Sequence, residues 1–287
     1  MKVAITLDLH HGDEPDDILL ACEFLGERGV PATFFIPSSL LETREYGAVL
    51  RRIPSYGHEV ASHTHHHDGH ELTALVAGSG AALDFLEHSR SVHEDAFGER
   101  PVSFRSPAWC FLGPAAIERL SGLGYRVDSS ATPQRLGIFS SAPFGNVWTY
   151  SPRRPYPLTD TLLEVPTSSF LVPAGNPTFA TLRRRGSLAL VGLLAAEARW
   201  RGSRVLNLQF HPADFTVESS RPVPRLPWPS LGDFLLRAQG GFRFRYYVRC
   251  LDPMRAGERT RAIFDLLGSA RFLSLAGVAE ELTVGTW

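Results

Sequence analysis

Residues 3–37 read VAITLDLHHGDEPDDILLACEFLGERGVPATFFIP, and the fold is argued outward from that stretch. Val3 to Leu9 is a β-branched, apolar run of strand type. Asp13 and Pro15 then signal a helix start. Ile18, Cys22 and Leu25 recur at helical spacing, and Gly29 ends the element before a second strand, Ala32 to Pro37. Strand, helix and strand in this order argue for βα units around a parallel sheet.

The cycle continues along the chain. A helix is expected over Leu40 to Arg52, a strand over His58 to His63 and a long helical region over Glu71 to Ala96. Further strands are expected at Val102 to Arg105, Tyr125 to Asp128, Leu162 to Val165 and Val205 to His211. A closing helix, Glu258 to Leu267, precedes a short strand at Phe272 to Leu275. Seven or eight βα-like units can be drawn, and a barrel is their natural closure. The expected fold class is therefore α/β, a (β/α) barrel formed by a single domain over 1–287 with a core of about 2–283. The Pro-, Gly- and aromatic-rich stretches 132–160 and 214–247 read as elaborated loops of that domain.

The 287 residues are 44% hydrophobic and 21% charged, an ordinary globular composition that excludes disorder, collagen and coiled coil. Twenty-nine basic and thirty acidic residues balance to a charge of -1, which leaves no electrostatic footprint for nucleic acid. Cys22, Cys110 and Cys250 are too few and too scattered for a disulfide framework or a CxxC metal knuckle. The opening MKVAITLDLHHG lacks an apolar export segment and reads as a cytoplasmic start. No window has the apolar length of a membrane span. Arg183 to Arg185 and Arg199 with Arg201 flank the apolar run Ser187 to Ala196, either a barrel helix with basic ends or a peripheral membrane contact.

Eight of the eleven histidines lie in the first 70 residues. His63 and His67 stand at i and i+4 in HTHHH, after the strand-like GHEVAS, and can share one face of a helical turn to bind one metal. A solvated histidine tract is the competing account. In TLDLHH, Asp8 and His10 fall on one side of a strand and His11 on the other, so a carboxylate and an imidazole pair at the strand end. Arg105 in FRSPAW ends another strand, where its guanidinium can pair with Asp8. Asp128 in YRVDSS and His211 in LNLQFHPADF end two more, which puts polar groups where barrels hold their sites.

Taken in order, these residues resemble the NodB-homology polysaccharide deacetylases, carbohydrate esterase family 4. Asp8 in TLDLH matches the family's first motif, His63 to His67 its H[ST]xxH motif, and Arg105 to Pro107 its R-x-P motif. Asp128 and His211 match the later Asp and the terminal His. The first motif is closest to the branch with D-x-D or D-x-E, but His10 stands where that branch has its second acidic residue. The resemblance implies a distorted barrel and a divalent metal, Zn²⁺ foremost, held by His10, His63 and His67, with His11 or Asp13 as alternatives to His10. It implies Asp8 as general base held by Arg105, and His211 as general acid oriented by Asp128. It places Pro107 and Trp109 at the substrate, and an oxyanion-binding backbone N–H in the loop after Arg105.

The implied reaction is removal of an N-acetyl or other short N-acyl group from an amino sugar or its conjugate. Trp109, Trp148, Trp228 and Tyr246 lie in loop-like segments and can stack on sugar rings. Hydrolysis of a non-sugar C–N bond in a cyclic imide, ureide or formamide is a second reading. A catalytically silent metal-binding protein is a third.

Overall fold

The computed structural model describes residues 1–134, 150–201, 205–216 and 256–283. Strand β1 (Lys2–Asp8) is buried at every residue after Lys2, as a strand flanked by parallel neighbours must be. Helix α1 (Pro15–Gly26) starts on Pro15, carries Asp16 and Asp17 in its first turn, and buries Ile18, Ala21, Cys22 and Leu25 as one stripe. Gly29, at φ 61°, turns the chain into β2 (Ala32–Ile36), all of it buried.

The helix expected over residues 40–52 is two: α2 (Ser38–Leu41) and α3 (Arg44–Leu50). Thr43 is extended between them and returns its hydroxyl to the Leu40 carbonyl, a local bond that competes with the helix. The backbones then meet so closely that a Cβ at Gly47 would lie 2.8 Å from the Leu41 oxygen. After β3 (Glu59–Ser62), the long helix expected over 71–96 is likewise broken into α4 (Gly69–Ala77) and α5 (Asp84–Phe97). The interruption is Gly78-Ser79-Gly80, where Gly80 takes φ 52°.

Next come β4 (Ser103–Phe104), α6 (Pro114–Gly122), β5 (Val127–Asp128), β6 (Tyr156–Pro157) and β7 (Leu163–Glu164). The hairpin strands β8 (Ser169–Phe170) and β9 (Val172–Pro173) lead into α7 (Asn176–Arg201), which is interrupted at Arg183. The described chain ends with β10 (Val205–Phe210), α8 (Ala256–Leu267), β11 (Arg271–Leu273) and α9 (Leu275–Thr283). In α7, Leu190, Val191, Leu194, Ala195 and Ala198 are buried while Arg183, Arg184, Arg185 and Arg199 are exposed, so the apolar face belongs to the core. No helix among the described residues is long and apolar enough to cross a membrane.

The main sheet runs β10-β1-β2-β3-β4-β5-β7-β6, parallel throughout except for the last pair, and β11 also pairs with β1. Its far end curls back on its beginning. Ser168 N–H donates to the Asn207 carbonyl (2.9 Å), Gln209 N–H to Ala174 (3.1 Å), and the Asn207 amide to Val165 (3.1 Å). The result is a distorted (β/α) barrel whose last gap is closed by residues 165–175. Because the strands are parallel, the carboxyl ends of β1, β3, β4, β5 and β10 all open on one face. The loops expected over 132–160 and 214–247, with Trp148, Trp228 and Tyr246, lie mostly outside the described residues, as does Cys250.

Candidate active site

The loop after β3 carries four histidines in five residues, and its backbone decides where they point. Residues 63–67 are not helical: Thr64 (φ 66°) and His67 (φ 59°) are left-handed. The i, i+4 helical face expected for His63 and His67 is thus replaced by a curled loop that brings the same two rings together, centroids 4.8 Å apart. Left-handed conformations cost such residues roughly 1–2 kcal/mol each, so something must hold them. Glu71 does so. Its buried carboxylate accepts the backbone N–H groups of His65 (3.3 Å), His66 (2.9 Å) and His67 (2.8 Å), while Asp68 caps α4 by accepting from the Glu71 N–H (2.9 Å). The signal for Glu71 stood in the sequence as the capping-box spacing Asp68 to Glu71.

His10, just past β1, completes the cluster. Its ring centroid lies 4.8 Å from His67 and 6.1 Å from His63, and one ring nitrogen of each histidine lies within 4.8 Å of the others. A tetrahedral ion with bonds of about 2.0–2.1 Å sets its ligand atoms about 3.3 Å apart, within reach of small rotations of these rings. His11 points elsewhere, to the Ser39 hydroxyl (3.2 Å). Asp13 instead accepts the His10 backbone N–H (2.7 Å), and its carboxylate, His10 and His211 form a second set within 4.8 Å.

The donor chemistry suits a cation. His63 Nδ1 lies 2.8 Å from the Arg105 carbonyl, which can only accept, so its proton sits there and Nε2 is left with a lone pair. Burial, with His67 and His10 nearby, holds His63 well below the usual imidazole pKa; burial and His10 bring His67 down to about 4. Both rings are therefore neutral near pH 7. The His67 Nε2 is buried with no hydrogen-bond partner, a cost that a bound ion removes.

Beside this cluster, Arg105 Nη1 donates to Asp8 Oδ1 (2.6 Å) and Gln209 Nε2 to Asp8 Oδ2 (3.2 Å). Arg105 is fully buried, bonded also to Thr6 (3.0 Å) and to the carbonyl (2.9 Å) and hydroxyl (2.8 Å) of Ser129. The His211 ring lies 4.8 Å from His10, and its backbone N–H donates to Asp214 (2.9 Å), which Arg259 in turn holds at 3.1 Å. Gln209 and Asp214 carried no motif of their own in the sequence.

Asp128, expected to orient His211, accepts from the Ser130 hydroxyl (2.6 Å) and pairs with Glu164, the neighbour given by the β5–β7 register. Burial and the Asp128 charge push Glu164 well above the usual carboxylate range, so the two carboxyls share a proton. The Asp13 carboxylate lies within 4.8 Å of a His211 ring nitrogen. Pro107 is buried in the turn after Arg105. Trp109 is half-buried, with φ 50°, and sets its indole edge against Gly175 in the barrel seam.

The family model for polysaccharide deacetylase matches residues 2–127, a span that holds Asp8, His10, His63, His67 and Arg105 and stops one residue short of Asp128. Over residues 2–127 the chain is similar to the polysaccharide deacetylases. A search of curated proteins finds no match. Among solved structures, a Mycobacterium smegmatis protein assigned to the polysaccharide deacetylases superposes with a TM-score of 0.60 at 17% identity, over 99% of this chain and 90% of that one. The Puue allantoinase gives 0.57 at 11% identity, over 97% and 89%. A CE4 family pseudoenzyme from Bacillus anthracis gives 0.50 at 10%, over 98% and 66%. These likenesses extend the deacetylase fold beyond residue 127 to nearly the whole chain.

Proposed function

We propose that this chain is a metal-dependent amidohydrolase of the polysaccharide deacetylase type that removes a short N-acyl group, acetyl foremost, from an amino sugar or its conjugate. The observation that carries this reading is the Asp8–Arg105 pair set beside three clustered imidazoles, with His211 on the cluster's other flank. Three imidazoles with room for water suit Zn²⁺. His10, His63 and His67 would hold the ion, which would supply Lewis-acid activation of water and of the acyl carbonyl.

The remaining roles fall to the chain. Arg105 and Gln209 fix one Asp8 oxygen each, which orients the carboxylate to accept a proton from the attacking water. As the C–N bond breaks, His211 delivers a proton to the departing nitrogen, giving a free amine and a carboxylic acid. Asp13, close to His211, stabilises the protonated ring. Pro107 and Trp109 stand in the loop after Arg105, where the acyl group and sugar would rest.

A second reading, hydrolysis of a cyclic imide, ureide or formamide, draws support from the shared fold of an allantoinase. The test incubates zinc-loaded protein with N-acetylglucosamine oligomers, a nucleotide-linked N-acetyl sugar and a cyclic imide, and follows free amine and ring opening. Amine release from the sugars supports the first reading and ring opening the second. Metal retention without turnover of any substrate overturns both and leaves a silent binder.

A further inference from the structure

His65 lies between two of the proposed ligands but turns away from them. Its Nδ1 is 2.7 Å from the hydroxyl of Ser38, at the start of α2, a bond that locks the ring and leaves Nε2 as the free edge. That edge meets two side chains from different elements. Glu42, at the C-terminal end of α2, sets its carboxylate 3.8 Å from His65 Nε2, and His88, on α5, sets its ring edge-on to His65 with centroids 4.5 Å apart. One ligand atom from each of Glu42, His65 and His88 lies within 4.8 Å of the others.

We propose that Glu42, His65 and His88 form a second divalent-cation site, built on the opposite face of the loop that carries His63 and His67. Two imidazoles and one carboxylate with open positions for water are a donor set that Zn²⁺ accepts. The 3.8 Å separation needs only about 0.5 Å of closure to reach tetrahedral spacing. His65 is buried and preset by Ser38, whereas Glu42 and His88 are exposed and must be gathered from solvent. The site therefore binds more weakly than the three-histidine cluster. An ion there ties α2 and α5 to the ligand loop, whose backbone already rests on α2 through Ser38 N–H to Thr64 (3.0 Å) and Ser39 N–H to His65 (3.1 Å).

The two centres share no ligand, so they can be told apart. Metal-stripped full-length protein is titrated with Zn²⁺ by calorimetry, and bound zinc is counted after dialysis. Two binding classes are expected. The double variant Glu42→Gln with His88→Ala, both at exposed positions, should weaken the second class at least tenfold and leave the first and the far-ultraviolet spectrum unchanged. His63→Ala should do the reverse. A single class in the parent, or two unchanged classes in the Glu42/His88 variant, overturns the proposal; so does loss of both classes in His63→Ala with its fold intact. Loss of the first class alone, without turnover, would bear only on the catalytic reading.

Discussion

The Arg105 guanidinium donates to the Asp8 carboxylate across 2.6 Å, with its Cζ 4.3 Å from the centre of the Phe35 ring, and Arg105 is fully buried while Asp8 keeps only a narrow opening to solvent. Removing one partner of such a pair strands the other, at a cost of about 3–5 kcal/mol. Arg105→Met should therefore lower unfolding free energy by that amount in a denaturant titration. Asp8→Asn keeps an acceptor for Nη1 and should lose less stability, but turnover should fall by about 10²–10⁴-fold with metal content nearly intact. Parent-like turnover in Asp8→Asn would remove the carboxylate from the mechanism.

Glu71 touches no ligand ring yet holds the backbone beneath three of the histidines. Glu71→Ala releases these N–H groups and the left-handed turn at His67. Zinc affinity at the three-histidine centre, measured by chelator competition, should drop by about 10- to 100-fold. An unchanged dissociation constant would show that the loop holds its shape without this carboxylate.

His93 reports on acid sensitivity. Its ring is fully buried on α5, bonded to the Ile36 carbonyl (3.2 Å), and burial lowers its pKa to about 4. Between about pH 6.5 and pH 4 the unfolded chain takes up a proton that the folded chain refuses, so stability is full above that window and falls as pH drops through it. The loss from this one ring is on the order of 3 kcal/mol. His93→Gln can still donate to Ile36 and does not titrate; its unfolding free energy should fall less steeply over the same window.

The Asp128–Glu164 pair has the opposite sign. Glu164 is raised by burial and by Asp128, so its contribution is full below the ordinary carboxylate pKa and is lost as pH rises through the raised value. Glu164→Gln mimics the protonated acid and can keep the bond from the Ala131 N–H (3.1 Å). It should match the parent within about 1 kcal/mol at neutral pH and exceed it at alkaline pH. Identical pH slopes in parent and variant would mean that Glu164 is already ionised in the folded pair.

What the sequence made legible was local. The apolar runs of β1, β2 and β10 announced themselves, and polar residues at their carboxyl ends marked one face. Asp8, His10, His63, His67 and Arg105 were found in that way, and the structure gathers them. The misreadings were also local. Helical periodicity ran straight through Gly78-Ser79-Gly80, and the spacing of His63 and His67 suggested a helix where left-handed residues make a loop. Gln209 and Glu164 were invisible for another reason: each owes its place to a partner, Asp8 or Asp128, that pattern alone does not connect to it.

Strand β1 is zipped to β10 from Lys2 with Val205 through Leu7 with Phe210, and to β11 from Lys2 with Arg271 through Ala4 with Leu273. At about 5–20 residues per second, translation leaves that edge of the first strand without its partner for ten seconds or more. The strand that bears Asp8 thus waits for the end of the barrel before it can settle. Contacts of such long range make folding slow and leave an apolar edge open meanwhile. The face that gathers Asp8, His10 and His211 is accordingly among the last parts to take shape.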